Sequence, residues 1–243
     1  MSNCKSVMDA RDSRTQSARH GHKHGGFFAC LKSLYHTLRR PLEIRRRIKG
    51  KGNSISLGNS ILKRVRIDIV GNDNVIALAN DSVVEGMIVR IRGNGHRLSV
   101  GRGVWFHNVR FFFEDETCRI AIGNECMFND VSISAVETGC AVEIGAKVGL
   151  AEETDIRTSD SHSIVDVETG QRLNPPAGIS IGDGAWIGKG VTILKGVRIG
   201  AQSVIGMRSL VTKDVPPYCL AAGVPAKVLR TGVTWVWEKL PVS

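Results

Sequence analysis

In the C-terminal half of the chain the apolar positions recur every six residues. Ile187, Ile193, Ile199, Ile205 and Val211 are all branched aliphatics. Two places before each stands a small or β-branched residue: Ala185, Val191, Val197, Ser203 and Ser209. Glycine follows many of the aliphatics, as at Gly182, Gly188, Gly200 and Gly206. A helix has no period of six, and a hairpin meander does not sustain one through five cycles. Six residues suit a short strand and a tight bend, and three such steps close a triangular coil with the aliphatic inside and the small residue at the corner. The same rule runs through Ile144, Leu150 and Ile156, with Val142, Val148 and Thr154 as partners. Weaker echoes reach back through Phe128, Cys126, Ile122 and Ile120 to Ile67, Ile61 and Ile55, broken by offsets such as Glu137-Thr138-Gly139. At 18 residues per coil, residues 53–230 make about nine coils, a prism roughly 45 Å long. Stacked coils bury one continuous aliphatic column and need capped ends.

Ahead of the repeat the pattern differs. Residues 1–26 are rich in Ser, Arg, His and Gly with almost nothing to bury, the signature of a disordered tail. His20, His22 and His24 within it form a metal cluster or a solvated run. Over 27–50, Phe27, Phe28, Leu31, Leu34, Tyr35, Leu38 and Leu42 fall at helical spacing, with Pro41 an interruption. The polar side carries Lys32, Arg39, Arg40, Arg45, Arg46, Arg47 and Lys49. Such a basic amphipathic segment either rests on an anionic membrane surface or acidic glycan, or docks on its own domain or a neighbouring subunit. The organisation expected is therefore a tail (1–26), a basic helix (27–50), a coil domain (51–230) with a projecting loop at 163–178, and a short C-terminal helix (231–243).

Charge sharpens this division. The formal net charge is +10, from 33 Lys+Arg and 23 Asp+Glu. Residues 1–50 hold twelve of the cations and three of the acids, so the rest of the chain is close to neutral and is expected to lack a basic face for nucleic acid. No apolar run reaches the eighteen or so residues of a spanning helix, and the polar N-terminus lacks a secretory signal, which points to the cytoplasm. The six cysteines form no CxxC pair, against both a disulfide framework and a zinc ribbon.

Function in a repeat is sought where the repeat fails. His162 occupies a step where Ile, Leu or Val is due, and the sixteen residues after it, SIVDVETGQRLNPPAG, do not fit until Ile179. The turn Glu168-Thr169-Gly170 and the stiff Asn174-Pro175-Pro176 make this an ordered, projecting loop. A histidine at its foot is either a general base able to take a hydroxyl proton at neutral pH or a structural residue. Asp160, on the same side by strand alternation, either orients the imidazole or hydrogen-bonds a turn. Trp186 breaks the pattern 24 residues after His162, as a wall for a narrow apolar channel or as a packed surface aromatic. A carbonic anhydrase site is excluded, because His96 and His107 lie many coils from His162.

Three segments carry a resemblance: RTSDSHSIVDVETGQRLN, then ISIGDGAWIGKGVTILKGVRIG, then SLVTKDVPPYCLAAGVPAKVLR with a trailing GVTW. Together they resemble hexapeptide-repeat acyltransferases, and within them the bacterial capsule and exopolysaccharide O-acetyltransferases of the polysialic acid type. The resemblance implies an all-β fold, a left-handed parallel β-helix. The hand comes from the resemblance alone, since the usual crossover rule favours the right. It implies an acetyl-CoA-dependent O-acetyltransferase with His162 as general base, acting on a polysaccharide hydroxyl without a metal. By the same matching Trp186 borders the acetyl-CoA channel, and Lys189, Met207, Thr212, Lys213, Lys227 and Arg230 fall on the cofactor's path, while the small Ser203 would let its pantetheine approach the backbone. Lys213, Lys227 and Arg230 are cations suited to its phosphates. Relatives of this kind place each site between two subunits of a homotrimer. A serine or amino-sugar acetyltransferase and a non-catalytic scaffold are the rival readings.

Overall fold

The computed structural model describes residues 43–241. The proposed tail, the histidine run and most of the basic helix lie outside the described residues. Those described form strands, turns and loops with no helix. Parallel strands stack rung on rung into one fourteen-stranded sheet and one seven-stranded sheet, the seven-stranded sheet receiving one strand from each coil. The molecule is a parallel β-helix, as the period of six predicts.

The aliphatic ladder faces inward: Ile187, Ile193, Ile199, Ile205 and Val211 are buried, as are Ile144, Leu150 and Ile156. The corner residues Ala185, Val191, Val197, Ser203 and Ser209 are buried with them. The coils are not uniform, however. Toward the C-terminus partners are 18 residues apart, as in Trp186↔Val204 and Ser180↔Arg198. Toward the N-terminus they are 22 apart, as in Val83↔Trp105, Trp105↔Met127 and Arg97↔Arg119. The expected nine coils of 18 are thus fewer and, in the first half, larger. Their long strands, Ile61–Val70, Val83–Arg92 and Trp105–Phe113, run through a corner unbroken, bending at Arg64, Gly86 and Asn108, all with positive φ. A larger coil encloses more space. Phe106, Phe111, Phe113 and Phe128 fill it, with Phe106 stacked on Phe128 at 4.8 Å, where the narrower coils need only Ile and Val.

Corners are held by close stacking. A Cβ on Gly50, Gly71 or Gly93 would sit within 2 Å of the carbonyl oxygen of the next rung, and all three have φ above 120°. Nearby runs a ladder of buried polar side chains. Asn74 Oδ1 accepts the His96 amide (2.9 Å), and His96 Nδ1 accepts the Cys118 amide (3.1 Å). Nδ1 is therefore unprotonated, and Nε2–H donates to the carbonyl of Asp115 (3.1 Å). Burial pushes the His96 pKa below its ordinary value.

Both ends differ from expectation. Ile44–Lys49, assigned above to the basic helix, is a strand paired parallel with Ile61–Val70. The first rung of the core needs a cap, and an arginine-rich strand supplies the backbone partners while discouraging further edge pairing. Residues 231–241 contain no helix. Ala226–Thr231 folds back antiparallel on Cys219–Gly223, Gly232 turns at φ 68°, and the Trp235 indole N–H donates to the Gly184 carbonyl (2.7 Å). The tail is tied down by side-chain anchors that a helical register would not present.

The near-neutrality of residues 51–243 also conceals an uneven placing of charge. Outward positions of the seven-stranded sheet mix small residues (Ser56, Ala77, Ser99, Ala121, Ser180) with the charged Arg97, Arg119, Glu143 and Arg198. The first halves of the long strands continue outward through Trp105, Met127, Gly149 and Trp186. The second halves gather arginines on one face (Arg66, Arg90, Arg92 and Arg110, joined by Arg45 of the first strand), with Asp68 and Asp130 paired to Arg92 and Arg110, which the overall charge balance does not reveal.

Because the folded chain holds His96 neutral, the unfolded chain takes up the proton more readily. Stability is full above the ordinary histidine pKa and is lost as pH falls through it toward the folded value. Thermal unfolding followed at pH 7.5 and pH 5.5 is expected to show a drop in Tm that is smaller in His96→Gln. An equal drop in both proteins refutes this role.

Candidate functional site

The loop is built by local bonding. Thr158 is the last buried residue of its strand face, and its hydroxyl donates to the Val136 carbonyl (2.9 Å) while accepting the Val136 amide (3.0 Å). Its carbonyl accepts the Ala177 amide (3.0 Å), so the chain leaves the coil after Thr158 and rejoins it at Ala177. The projection is 159–176 rather than 163–178. His162 therefore stands inside the loop, four residues beyond the coil, which is why no aliphatic is needed there. Within the loop Ile164 and Leu173 pair antiparallel (2.7 Å), and Asp166 closes the tip by accepting the amides of Glu168 and Thr169.

Asn174 is the hub. Its Nδ2 donates to Asp160 Oδ2 and to the His162 carbonyl (both 2.8 Å), and its Oδ1 accepts the Ile164 amide (2.7 Å). Arg172 forks onto Glu137 of the preceding coil (2.6 and 2.7 Å), and the Ser159 hydroxyl donates to the same carboxylate. The Arg172 fork, aided by Ser159, holds the Glu137 carboxyl down at about 2. Lys195, on the corner one rung later, donates to Asp160 and to the Asn174 carbonyl (3.1 Å). Lys195 and Asn174 keep the Asp160 carboxyl below its usual range.

His162 itself is exposed, and its ring has no hydrogen-bond partner among the described residues. Asp160 does not orient the imidazole. Its Oδ2 is taken by Lys195 and Asn174, so of the two roles open to it the turn-binding one is realised.

Trp186 is 43% exposed and packs against Trp235, with ring centroids 5.6 Å apart, and Trp235 meets Trp237 edge-on at 4.7 Å. Neither Trp235 nor Trp237 was singled out from sequence; three tryptophans in this half of the chain were visible, but their contact is tertiary. Lys189 pairs with Glu153 (3.2 Å) on the corner after Trp186. Met207, 69% exposed, follows one rung on, its amide nitrogen against the space a Cβ on Gly188 would need. Thr212 and Lys213 are exposed on the corner that carries Lys195 and the loop. Lys227 and Arg230 are exposed on the returning C-terminal strand, opposite Ala222 and Leu220. Ser203 is the exception: it is fully buried with its hydroxyl donated to the Gly200 carbonyl (2.6 Å), so it is a corner residue and cannot touch a cofactor.

The candidates thus form two groups in one chain. His162, Thr212 and Lys213 belong to one corner column, whereas Trp186, Lys189 and Met207 lie across the intervening strand face at the previous corner.

A parallel β-helix of six-residue steps, interrupted by an ordered hairpin bearing an exposed histidine, defines the class. Residues 178–213 match the family Bacterial transferase hexapeptide (six repeats), and the chain is a hexapeptide-repeat protein. In particular it is similar to a polysialic acid O-acetyltransferase of Escherichia coli O1:K1, 30% identical over 164 residues, 66% of this chain and 44% of that protein. The polysialic acid O-acetyltransferase of Neisseria meningitidis is 29% identical over 140 residues, 57% of this chain and 64% of that protein. The chain therefore spans less than two thirds of the length of either relative. Among solved structures it is similar to the polySia-specific acetyltransferase NeuO, with a TM-score of 0.76 at 29% identity, covering 80% of this chain and 89% of that one.

Removing the hub side chain in Asn174→Ala leaves Asp160, the His162 carbonyl and the Ile164 amide without their partner, a local cost of about 1–3 kcal/mol. Hydrogen exchange is expected to speed up across 160–174 while the coil amides stay protected. Unchanged exchange in the loop would show that the hairpin holds without Asn174.

Proposed function

We propose that this protein is an O-acetyltransferase that moves an acetyl group from acetyl-CoA to a sugar hydroxyl of a capsular or extracellular polysaccharide. The observation that carries the reading is His162: an exposed imidazole without a hydrogen-bond partner among the described residues, on a hairpin whose backbone is fixed by Asn174, Arg172 and Lys195. A general base needs that combination of free ring and fixed position. The named activity of the polysialic acid relatives supports both the reaction and the acceptor class.

The residues present fit an elongated thioester donor. Trp186 and Met207 offer exposed apolar surface, and Lys213, Lys227 and Arg230 are exposed cations for phosphates. The donor supplies an activated acetyl thioester. His162 takes the proton from the acceptor hydroxyl as that oxygen attacks the carbonyl carbon, and returns it to the departing sulfur. A backbone N–H steadies the oxyanion. Asp160 acts at a distance as a positioning residue, through Asn174 and Lys195.

The separation of His162 from Trp186 and Lys189 within one chain supports a site completed between subunits. A homotrimer brings one chain's hairpin to its neighbour's aromatic corner. Light scattering at micromolar concentration is expected to give three times the chain mass, and a monomer would overturn the shared site.

Thiol release from acetyl-CoA, measured with and without acidic polysaccharides, serine and amino sugars, tests the acceptor. Release stimulated by the polysaccharide alone is expected. His162→Ala should lower that rate by about two to four decades with loop hydrogen exchange unchanged. Full activity in this variant, or an acetylated enzyme in a rapid quench, would refute direct transfer by this base.

A further inference from the structure

The outward arginines of the N-terminal coils are placed by register. Parallel stacking puts Arg45 beside Arg66, then Ile88, then Arg110, and the neighbouring column runs Arg47, Asp68, Arg90, Phe112. Rungs are about 4.8 Å apart and alternate residues about 6.7 Å apart along a strand. The result is a two-dimensional lattice of cations on one face. Asp68 is the one carboxylate among those eight positions, and beside them Glu43 pairs with Arg45 (2.6 Å) and Glu85 with Arg64 (3.5 Å), so cations still outnumber acids on this face. Arg92 takes its Oδ2 at 2.7 Å and, with weaker help from Arg47 and Arg90, holds it ionised. A shallow cavity of about 250 Å³ opens on the same face between Arg64, Arg66 and Arg110, and the carboxylate of Asp130 also lines it. Arg110 is braced by Asp130 (2.9 Å), and Arg90 lies over the Phe112 ring at 5.7 Å, so both guanidiniums are held in place.

The strand column that carries Arg110 leads to the candidate site, with Asp155, paired with Arg157 (2.6 Å), on the way. Arg110 pairs with Ser132, Ser132 with Asp155, and the Asp155 strand ends at Arg157 and Thr158, where the His162 hairpin begins. An extended polymer lying along the prism would therefore run from the arginine lattice to the hairpin over roughly 20 Å.

We infer that this arginine face is a binding track for a linear, carboxylate-bearing polysaccharide, separate from the reacting groups, which captures long acceptor chains and feeds them to His162. The inference rests on the proposed transferase reading for its acceptor. The lattice matches a polymer with regularly spaced anionic groups. A sugar polyacid is favoured over single-stranded nucleic acid because Phe112 is already covered by Arg90, and over duplex nucleic acid because the proposed acceptor is a polysaccharide.

The test uses the full chain, fluorescent polysialic acid of graded length, neutral dextran and duplex DNA, with binding read by anisotropy across a salt series. Arg66→Ser/Arg90→Ser removes two cations without touching the hairpin or the cofactor-path residues. Arg119→Ser, on the seven-stranded sheet away from this face, serves as the control. Polysialic acid should bind more tightly with length, dextran should not bind, and the double variant should weaken binding by about tenfold at low salt and flatten the salt slope by about two. The control should match the parent chain. Equal binding by parent and double variant, or tighter binding of duplex DNA than of polysialic acid at equal salt, overturns the inference. Because binding is read without turnover, a protein that captures the polymer but transfers no acetyl group would refute the transferase reading and leave the track standing.

Discussion

Everything in this molecule depends on the hydrogen bonding of one coil to the next. Each strand is satisfied by the rungs above and below it, so the register of any residue fixes the residues that stand beside it on every other coil. Parallel pairing carries Gly149, Trp186 and Val204 into one column and Asp155, Thr192 and Leu210 into another. The buried aliphatics supply the driving force, but any apolar chain could do so. The corner geometry, with glycine at Gly71 and Gly93 where a carbonyl occupies the Cβ space, is what forces the repeat to stay in step.

Against so regular a background, the hairpin at 159–176 is costly to hold, because it buries little. Its exposed apolar residues, Ile164, Val165, Val167 and Leu173, contribute almost nothing to a core. Polar bonds fix it instead: the Arg172 fork on Glu137, the Asn174 hub and the Lys195 contact. Such bonds are directional, so they set the position of the His162 backbone more tightly than apolar packing would. The same bonds occupy Asp160, which leaves the imidazole free for a reacting group.

The outer surface divides the remaining tasks by face. One sheet mixes small residues with the Arg119–Glu143 pair, one side carries the tryptophan corner, and one gathers arginines. That division follows from alternation: within a strand such as Ile61–Val70, Val65, Ile67 and Ile69 point in, and Arg66 and Asp68 point out. A chain segment nearly neutral in sum can in this way gather arginines on one surface, where they outnumber the carboxylates of Asp68 and Asp130 beside them.

The period of six was legible because each step places one aliphatic inside and one small residue at a corner, a demand local enough to read residue by residue. It determined the β-helix, the inward ladder from Ile144 to Val211, and the hairpin as a break in that ladder. His162 and Trp186 were visible as departures from the pattern. The first coils were read less well, since their corners carry extra residues and a column such as Gly50, Gly71 and Gly93 recurs at 21 and 22 rather than 18. What the sequence could not supply were contacts between distant turns. That Asp160 bonds Lys195 and Asn174 instead of His162, that Ser203 faces inward, that Trp235 lies on Trp186, and that Ile44–Lys49 is a capping strand all depend on which rung lies beside which. Only the stacked structure decides that, because hydrogen bonds and ring contacts act through space over a few ångströms, whatever the separation along the chain.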